Sequence, residues 1–228
     1  NIEDDIKFKQ FFPLQQEHSH KLNISWNIGL GDMYNAFSKK NYFQRSFQKI
    51  RPIHYKINYT QPNSQKEIDV FIRTTSNLER NLVAFHRKEL LIRLQYIIEN
   101  NTLKGSTHGK WLNTKQFRNV LKSSKILPSP FGWGEIGVRD YEAFIFGAAL
   151  LKPDMSHMET WPNVFIKDET YCSFNWDYSN LEEKILELLD SSKKRIDLAN
   201  SGQSIYKNSI SNKGMVEFCN WFTNQIEL

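Results

Sequence analysis

The amino-acid sequence predicts an α/β fold, a parallel sheet with flanking helices, and three stretches predict it. Residues 125–161 read as a buried strand, a glycine-rich loop, a helix and a second buried strand, in that order. Residues 67–100 begin with a second buried run, Ile68, Val70, Phe71 and Ile72, which passes through the polar turn Thr74 to Asn77 into a long helix from Leu78 to Asn100. Between them, Asn113 to Ser124 has Phe117, Val120 and Leu121 at helical spacing with Asn113 placed to cap it. Strands that alternate with helices in this way are the pattern of βαβ units.

Taken in order, residues 1–65 carry no complete unit and are read as a partial N-terminal region. Residues 1–22 are polar with a short helix ending at Pro13, and residues 23–32 read as a strand closing on Gly29-Leu30-Gly31. The run from Tyr34 to Phe47 is aromatic and basic, at a spacing that suits a domain interface. Thr60 to Lys66 has the Pro, Asn and Ser of a linker, so the boundary is set there and residues 66–228 form the second domain. After the long helix, residues 103–111 are a short connection or strand. Past the central stretch, Phe165-Ile166 and residues 171–174 are expected as short strands. Ser179 and Glu182 suggest a capping box for a helix from Leu181 to Leu189. Helices over 193–201 and 213–226 finish the chain, the last with Met215, Phe218, Cys219 and Phe222 at core spacing.

The chemistry concentrates in the central stretch. Pro128-Ser129-Pro130 leads into Gly132, Gly134 and Gly137, where missing side chains let the backbone turn tightly and approach a ligand. The helix that follows opens with unpaired N–H groups aimed into that loop, a favourable place for a phosphate. On its first turns Arg139 and Glu142 lie three residues apart and share one face, suited either to a ligand or to an intrahelical ion pair.

The segment SPFGWGEIGVRDYEAFIFGAALLKPD resembles the nucleotide-sugar loop of two-domain GT-B glycosyltransferases, in which a glycine-rich loop runs into a helix bearing E-A and then into the next strand. It looks closest to the bacterial "glycosyl transferases group 1" branch with CgeB-like proteins, whose R-x-x-E pair matches Arg139 and Glu142. The resemblance covers about residues 68–222 and implies a Rossmann-like C-terminal domain of a GT-B fold. It implies Arg73, at the end of the first strand, and Glu135 as catalytic residues. It implies Gly132, Gly134, Ile136, Gly137, Arg139, Glu142, Asp154, His157 and His108 as the nucleotide-sugar site. Glu135 and Glu142 stand seven apart where many retaining relatives have glutamates eight apart, so Glu142 transfers more directly than Glu135.

Composition bounds the rest. The chain has 228 residues, 39% hydrophobic and 14% aromatic, enough for a folded core. No apolar run reaches eighteen residues and the chain opens on Asn1, so a soluble, cytoplasmic piece or processed form of something longer is expected, with peripheral association at the inner face of the membrane. The net charge of +5 and pI near 9.0 suit an acidic partner, but the basic residues are dispersed and no nucleic acid is expected. Cys172 and Cys219 are too few for a disulfide framework and are read as core thiols. Asp154, His157 and Glu159 share a loop, yet no D-x-D pair occurs, so no metal and no cofactor are expected. The function expected is metal-independent transfer of a sugar from a nucleotide diphosphate donor to a glycan or lipid-linked acceptor. The alternatives are a non-catalytic nucleotide-sugar-binding subunit and a polyanion-binding protein.

Overall fold

A computed structural model describes residues 57–63, 65–132 and 134–226. The strand expected at 23–32 and the aromatic run from Tyr34 to Phe47 lie outside the described residues. The elements are β1 (Ile68–Phe71), α1 (Asn81–Asn100), β2 (Gly105–Ser106), α2 (Thr114–Ser123), β3 (Ser124–Pro128), α3 (Val138–Phe146), β4 (Ala149–Pro153), β5 (Cys172–Phe174), α4 (Leu181–Asp190), α5 (Ser192–Ser209) and α6 (Asn212–Ile226). The five strands form one sheet in the order β2-β1-β3-β4-β5, and every pairing is parallel. The architecture is the Rossmann-like α/β sheet that the sequence predicts. From β1 the chain moves outward to β2, then returns past β1 to β3, so the crevice between β1 and β3 is the topological switch point, where open parallel sheets hold ligands.

Strand residues alternate between two cores because successive side chains point to opposite faces of the sheet. Phe71, Leu127 and Leu150 face one cluster, built with Leu121, Phe144 and Tyr206 of α2, α3 and α5. Val70, Ile126 and Leu151 face the other, built with Leu90 and Leu94 of α1 and Ile185 of α4. Asn113 caps α2 as expected, accepting from Gln116 N while the Gln116 side chain accepts from Asn113 N, both at 3.0 Å. At the end of α3, Gly147 takes φ +60, and a Cβ there would lie 2.4 Å from the Thr60 carbonyl oxygen. The same close approach carries hydrogen bonds from Thr60 N to Ile145 O (2.9 Å) and from Gln203 Nε2 to Thr60 O (2.9 Å).

Several expectations are corrected. Helix α1 begins at Asn81 rather than Leu78, leaving residues 78–80 to extend the turn after β1. Phe165-Ile166 forms no strand, because Thr170 Oγ1 takes up both Ile166 N and Val164 O and folds the segment on itself. The capping box at Ser179 and Glu182 is absent: the N-cap is Asn180, Ser179 Oγ accepts from Asn175 Nδ2, and Glu182 Oε1 accepts from Asn101 Nδ2. The helix expected over 193–201 continues to Ser209, with Gly202 inside it because Phe144 packs where a side chain would stand, 2.6 Å from a Cβ. Cys172 is a core thiol pushed up to about 12 by burial, but Cys219 is exposed. Met215 and Phe222 of α6 are each 50% exposed, so their helical spacing marks an apolar face and not a core.

Candidate functional site at the switch point

The site begins where β1 ends. Arg73 follows the strand directly, and its guanidinium lies 5.2 Å from the centre of the Phe71 ring and donates through Nη1 to Ser106 Oγ at 3.0 Å. Its carbonyl oxygen accepts from Nη2 of Arg139, on the first turn of α3. Arg139 thus reaches across the β1/β3 crevice to the backbone at the end of β1, while the Arg73 guanidinium turns toward β2. Burial lowers the pKa of each, and at Arg139 the charges of Glu142 and Asp140 work against that burial while the charge of Arg87 adds to it. Glu142 is held up by burial, countered by Arg139 and Arg118, so it sits in the field of two arginines.

Arg87 belongs to the same group. It lies within α1, and its Nε donates to Phe131 O at 2.6 Å and its Nη1 to Thr75 O at 3.2 Å. It thus ties the glycine-rich loop after β3 to the turn after β1. No signal local to α1 announces this, because the two bonded groups are 44 residues apart in the chain.

Beneath the loop lies a closed pair that the sequence reading missed. Lys152 Nζ is 3.1 Å from Asp140 Oδ2, both side chains are fully buried, and the ammonium also donates to Glu135 O. Asp140 Oδ2 accepts from Gly137 N at 2.9 Å, so the start of α3 is capped by a carboxylate of the chain itself. The helix end expected to receive a phosphate is partly filled from inside. The cationic side chains above the loop are Arg73, Arg87 and Arg139. A lysine inside the apolar run of β4 was the available signal.

Two cavities flank Gly132. One of about 420 Å³ lies over the turn after β1 and is lined by Asn77, Leu78, Glu79, Arg80, Val83, Arg87 and Gly132. The other, about 480 Å³, lies between α1, the loop and the turn after β5, with Gly132, Gly134 and Glu135 in one wall and His86, Phe131, Trp176 and Tyr178 in the others. His86 stacks on Phe131 (5.2 Å between ring centres) and leans on Tyr178 (5.1 Å). Both of its ring nitrogens are buried without a hydrogen-bond partner among the described residues. Burial first, then Lys152 and Arg87, depress its pKa to about 4. Tyr178 adopts φ +64, a left-handed conformation unusual for an aromatic residue, and its hydroxyl donates to His86 O at 2.7 Å.

The other expected residues are distributed around this centre. Ile136 packs against the core and Gly137 is the N-cap of α3. Asp154 faces Lys167 at 2.5 Å and accepts from Ser156 N; burial raises its pKa, but these bonds prevail and hold it near 2. His157 lies edge-on to Trp176 at 5.6 Å, outside the crevice. His108 sits by β2, where its carbonyl oxygen accepts from Ser106 Oγ, the same hydroxyl that receives Arg73. Among the described residues no cluster of three or more His, Cys, Asp or Glu could hold a metal, and no helix is long and apolar enough to cross a membrane.

Neither the protein-family models nor the curated proteins include a match to this chain. Among solved structures, it is similar to the C-terminal domain of a glycosyl transferase group 1 family protein, LpcC, from Francisella tularensis. The TM-score is 0.49 at 10% identity, over 69% of this chain and 99% of that one. It is similar to TarM (TM-score 0.49, 14% identity, 81% of this chain and 42% of that one). It is also similar to a TarM variant from S. aureus solved with fondaparinux, alpha-GlcNAc-glycerol and UDP (TM-score 0.47, 13% identity, the same coverage). The chain thus spans less than half the length of TarM.

Proposed function

We propose that the chain binds a nucleotide diphosphate sugar at the β1/β3 crevice and serves as the donor half of a glycosyltransferase. The observation that carries the reading is the placing of Arg87 and Arg139 at the switch point on the carbonyl oxygens of Phe131 and Arg73, with Arg73 itself bonded to the Ser106 hydroxyl at the end of the adjacent strand, an excess of positive charge over the nearby carboxylates that suits an anion. In the transfer step the bond between the sugar's anomeric carbon and the diphosphate breaks, and the acceptor oxygen bonds to that carbon. The acceptor's proton passes to a base, for which we put forward Glu135, named as catalytic by the family resemblance and lying in the wall of the neighbouring cavity. The diphosphate leaves with more negative charge than it had when bonded. Guanidinium groups fixed before the reaction stabilise that charge without a divalent cation. Glu142, beside Arg139, accepts hydrogen bonds from the ribose hydroxyls.

Calorimetric titration with a panel of nucleoside diphosphates tests the reading. Arg139→Ala or Glu142→Ala is expected to weaken binding by about 1.5–3 kcal/mol, the worth of a charged hydrogen bond. Unchanged affinity in both variants ends the assignment. Binding or turnover that vanishes with EDTA and returns with manganese ends the metal-independent form of it. A chain that binds donor but transfers nothing to any acceptor is the non-catalytic subunit instead.

A further inference from the structure

On the far side of Gly132 from the crevice, the cavity of about 480 Å³ has an apolar interior and a polar rim. We propose that it is a carbohydrate subsite distinct from the nucleotide crevice, taking one pyranose ring against the indole of Trp176. The indole is 43% exposed yet fixed: its ring packs on Phe131 at 4.1 Å between centres, and Nε1 donates to Asp154 O at 3.2 Å. A large aromatic face held open in one orientation is a platform for a ring with an apolar face. The rim mixes signs. Glu89 and Arg93 stand 3.7 Å apart on α1, Asp177 follows Trp176 and Glu135 lies in the loop wall, three carboxylates to one guanidinium, so an anion is disfavoured while hydroxyl groups find acceptors and a donor together.

The interior argues against a planar base. On its floor the polar group is His86, and both His86 nitrogens are sealed under neighbouring rings, so the edge of a base inserted there would find no hydrogen-bond partner below the rim. A pyranose, apolar on its faces and polar around its circumference, fits an aromatic floor with a charged rim. The inference rests on the transfer reading in one respect: the wall of Gly132, Gly134 and Glu135 that the cavity shares with the loop sets such a ring beside a bound donor.

Ligand-observed NMR on the full chain with methyl glycosides of glucose, galactose, mannose and N-acetylglucosamine tests it, with UDP run in parallel. At least one glycoside is expected to bind, and Trp176→Ala to weaken it about tenfold or more. UDP affinity stays within error in that variant and falls in Arg139→Ala, which leaves the glycoside bound. If Trp176→Ala fails to fold, Glu89→Ala takes its place with a loss of about threefold. A glycoside that binds alongside UDP and alongside a UDP-sugar assigns the ring to the acceptor; one displaced by a UDP-sugar but not by UDP assigns it to the donor. No binding by any glycoside at concentrations on the order of tens of millimolar overturns the proposal, as does equal binding by both cavity variants. Loss of UDP binding alone counts against the crevice and not against this subsite.

Discussion

Two sets of charges face each other across the glycine-rich loop, and they are built in opposite ways. Below it, Lys152 and Asp140 have no exposure, and the ammonium, the carboxylate, Glu135 O and Gly137 N satisfy one another. Above it, Arg73, Arg87 and Arg139 rest on a hydroxyl and four carbonyl oxygens. A carbonyl fixes a guanidinium without neutralising it. The closed pair shapes the loop, and in the proposed reading the open set keeps charge for a ligand. Arg139 is partly offset by the charges of Glu142 and Asp140; had Arg73 and Arg87 been matched by carboxylates as well, the crevice would have been a structural ion-pair network.

The largest expected effect breaks the lower set. Lys152→Met strands the Asp140 carboxylate in a dry site, which typically costs about 3–5 kcal/mol, to be read by urea denaturation. Adding Asp140→Asn removes the stranded charge while an amide oxygen still caps α3, so most of the loss should return. A single-variant cost below about 1 kcal/mol would mean that the pair is not what holds the loop.

The upper set answers a different measurement. Arg87→Gln cuts the tie between Phe131 O and Thr75 O, and its charge is half-buried at most, so the change should weigh more on ligand affinity than on stability. A loss of about tenfold in nucleoside diphosphate affinity is expected, one charged hydrogen bond's worth, with a smaller shift of the urea midpoint. If stability drops and affinity does not, Arg87 is a structural strut and the open set shrinks to Arg73 and Arg139.

The two sets differed in how far the sequence announced them. Arg73 and Arg139 were legible because each sits at the end of a patterned element, a charged residue after an apolar run or on the first turn after a glycine loop. Strands β1, β3 and β4 were legible for the same reason: a short apolar run bounded by turn residues. Arg87 was not, since its role is a contact between α1 and a loop that only the parallel sheet brings together. Lys152 and Asp140 were hidden by separation as well, twelve residues apart across a helix and a turn. Helix α6 shows the converse limit. The spacing of Met215, Phe218 and Phe222 identifies an apolar face correctly, but periodicity says nothing of what covers it, and in the described fold Met215 and Phe222 are half exposed.

The smallest expected effect sharpens the contrast at His86, which feels the charge of one residue from each set. Lys152 and Arg87 repel a proton from its ring, Phe131, Trp176 and Tyr178 pack around it as neutral groups, and burial is the leading cause that holds its pKa near 4. An unfolded histidine takes its proton near pH 6.5. Between those two values the unfolded chain binds a proton that the folded chain refuses, so stability falls as the pH drops from about 6.5 toward 4 and is fully present above that window. His86→Phe keeps a ring in the aromatic stack and removes the titrating group. Its stability should therefore fall less over the same window, with little change or a slight gain at neutral pH, where two unpartnered nitrogens have been removed. Carboxylates titrate in the same range, so the difference between the two proteins is the quantity to read, from urea midpoints at each pH. Parallel curves would mean that the His86 ring reaches solvent or a partner in the folded protein, and the aromatic floor of the cavity would have to be redrawn as a polar one.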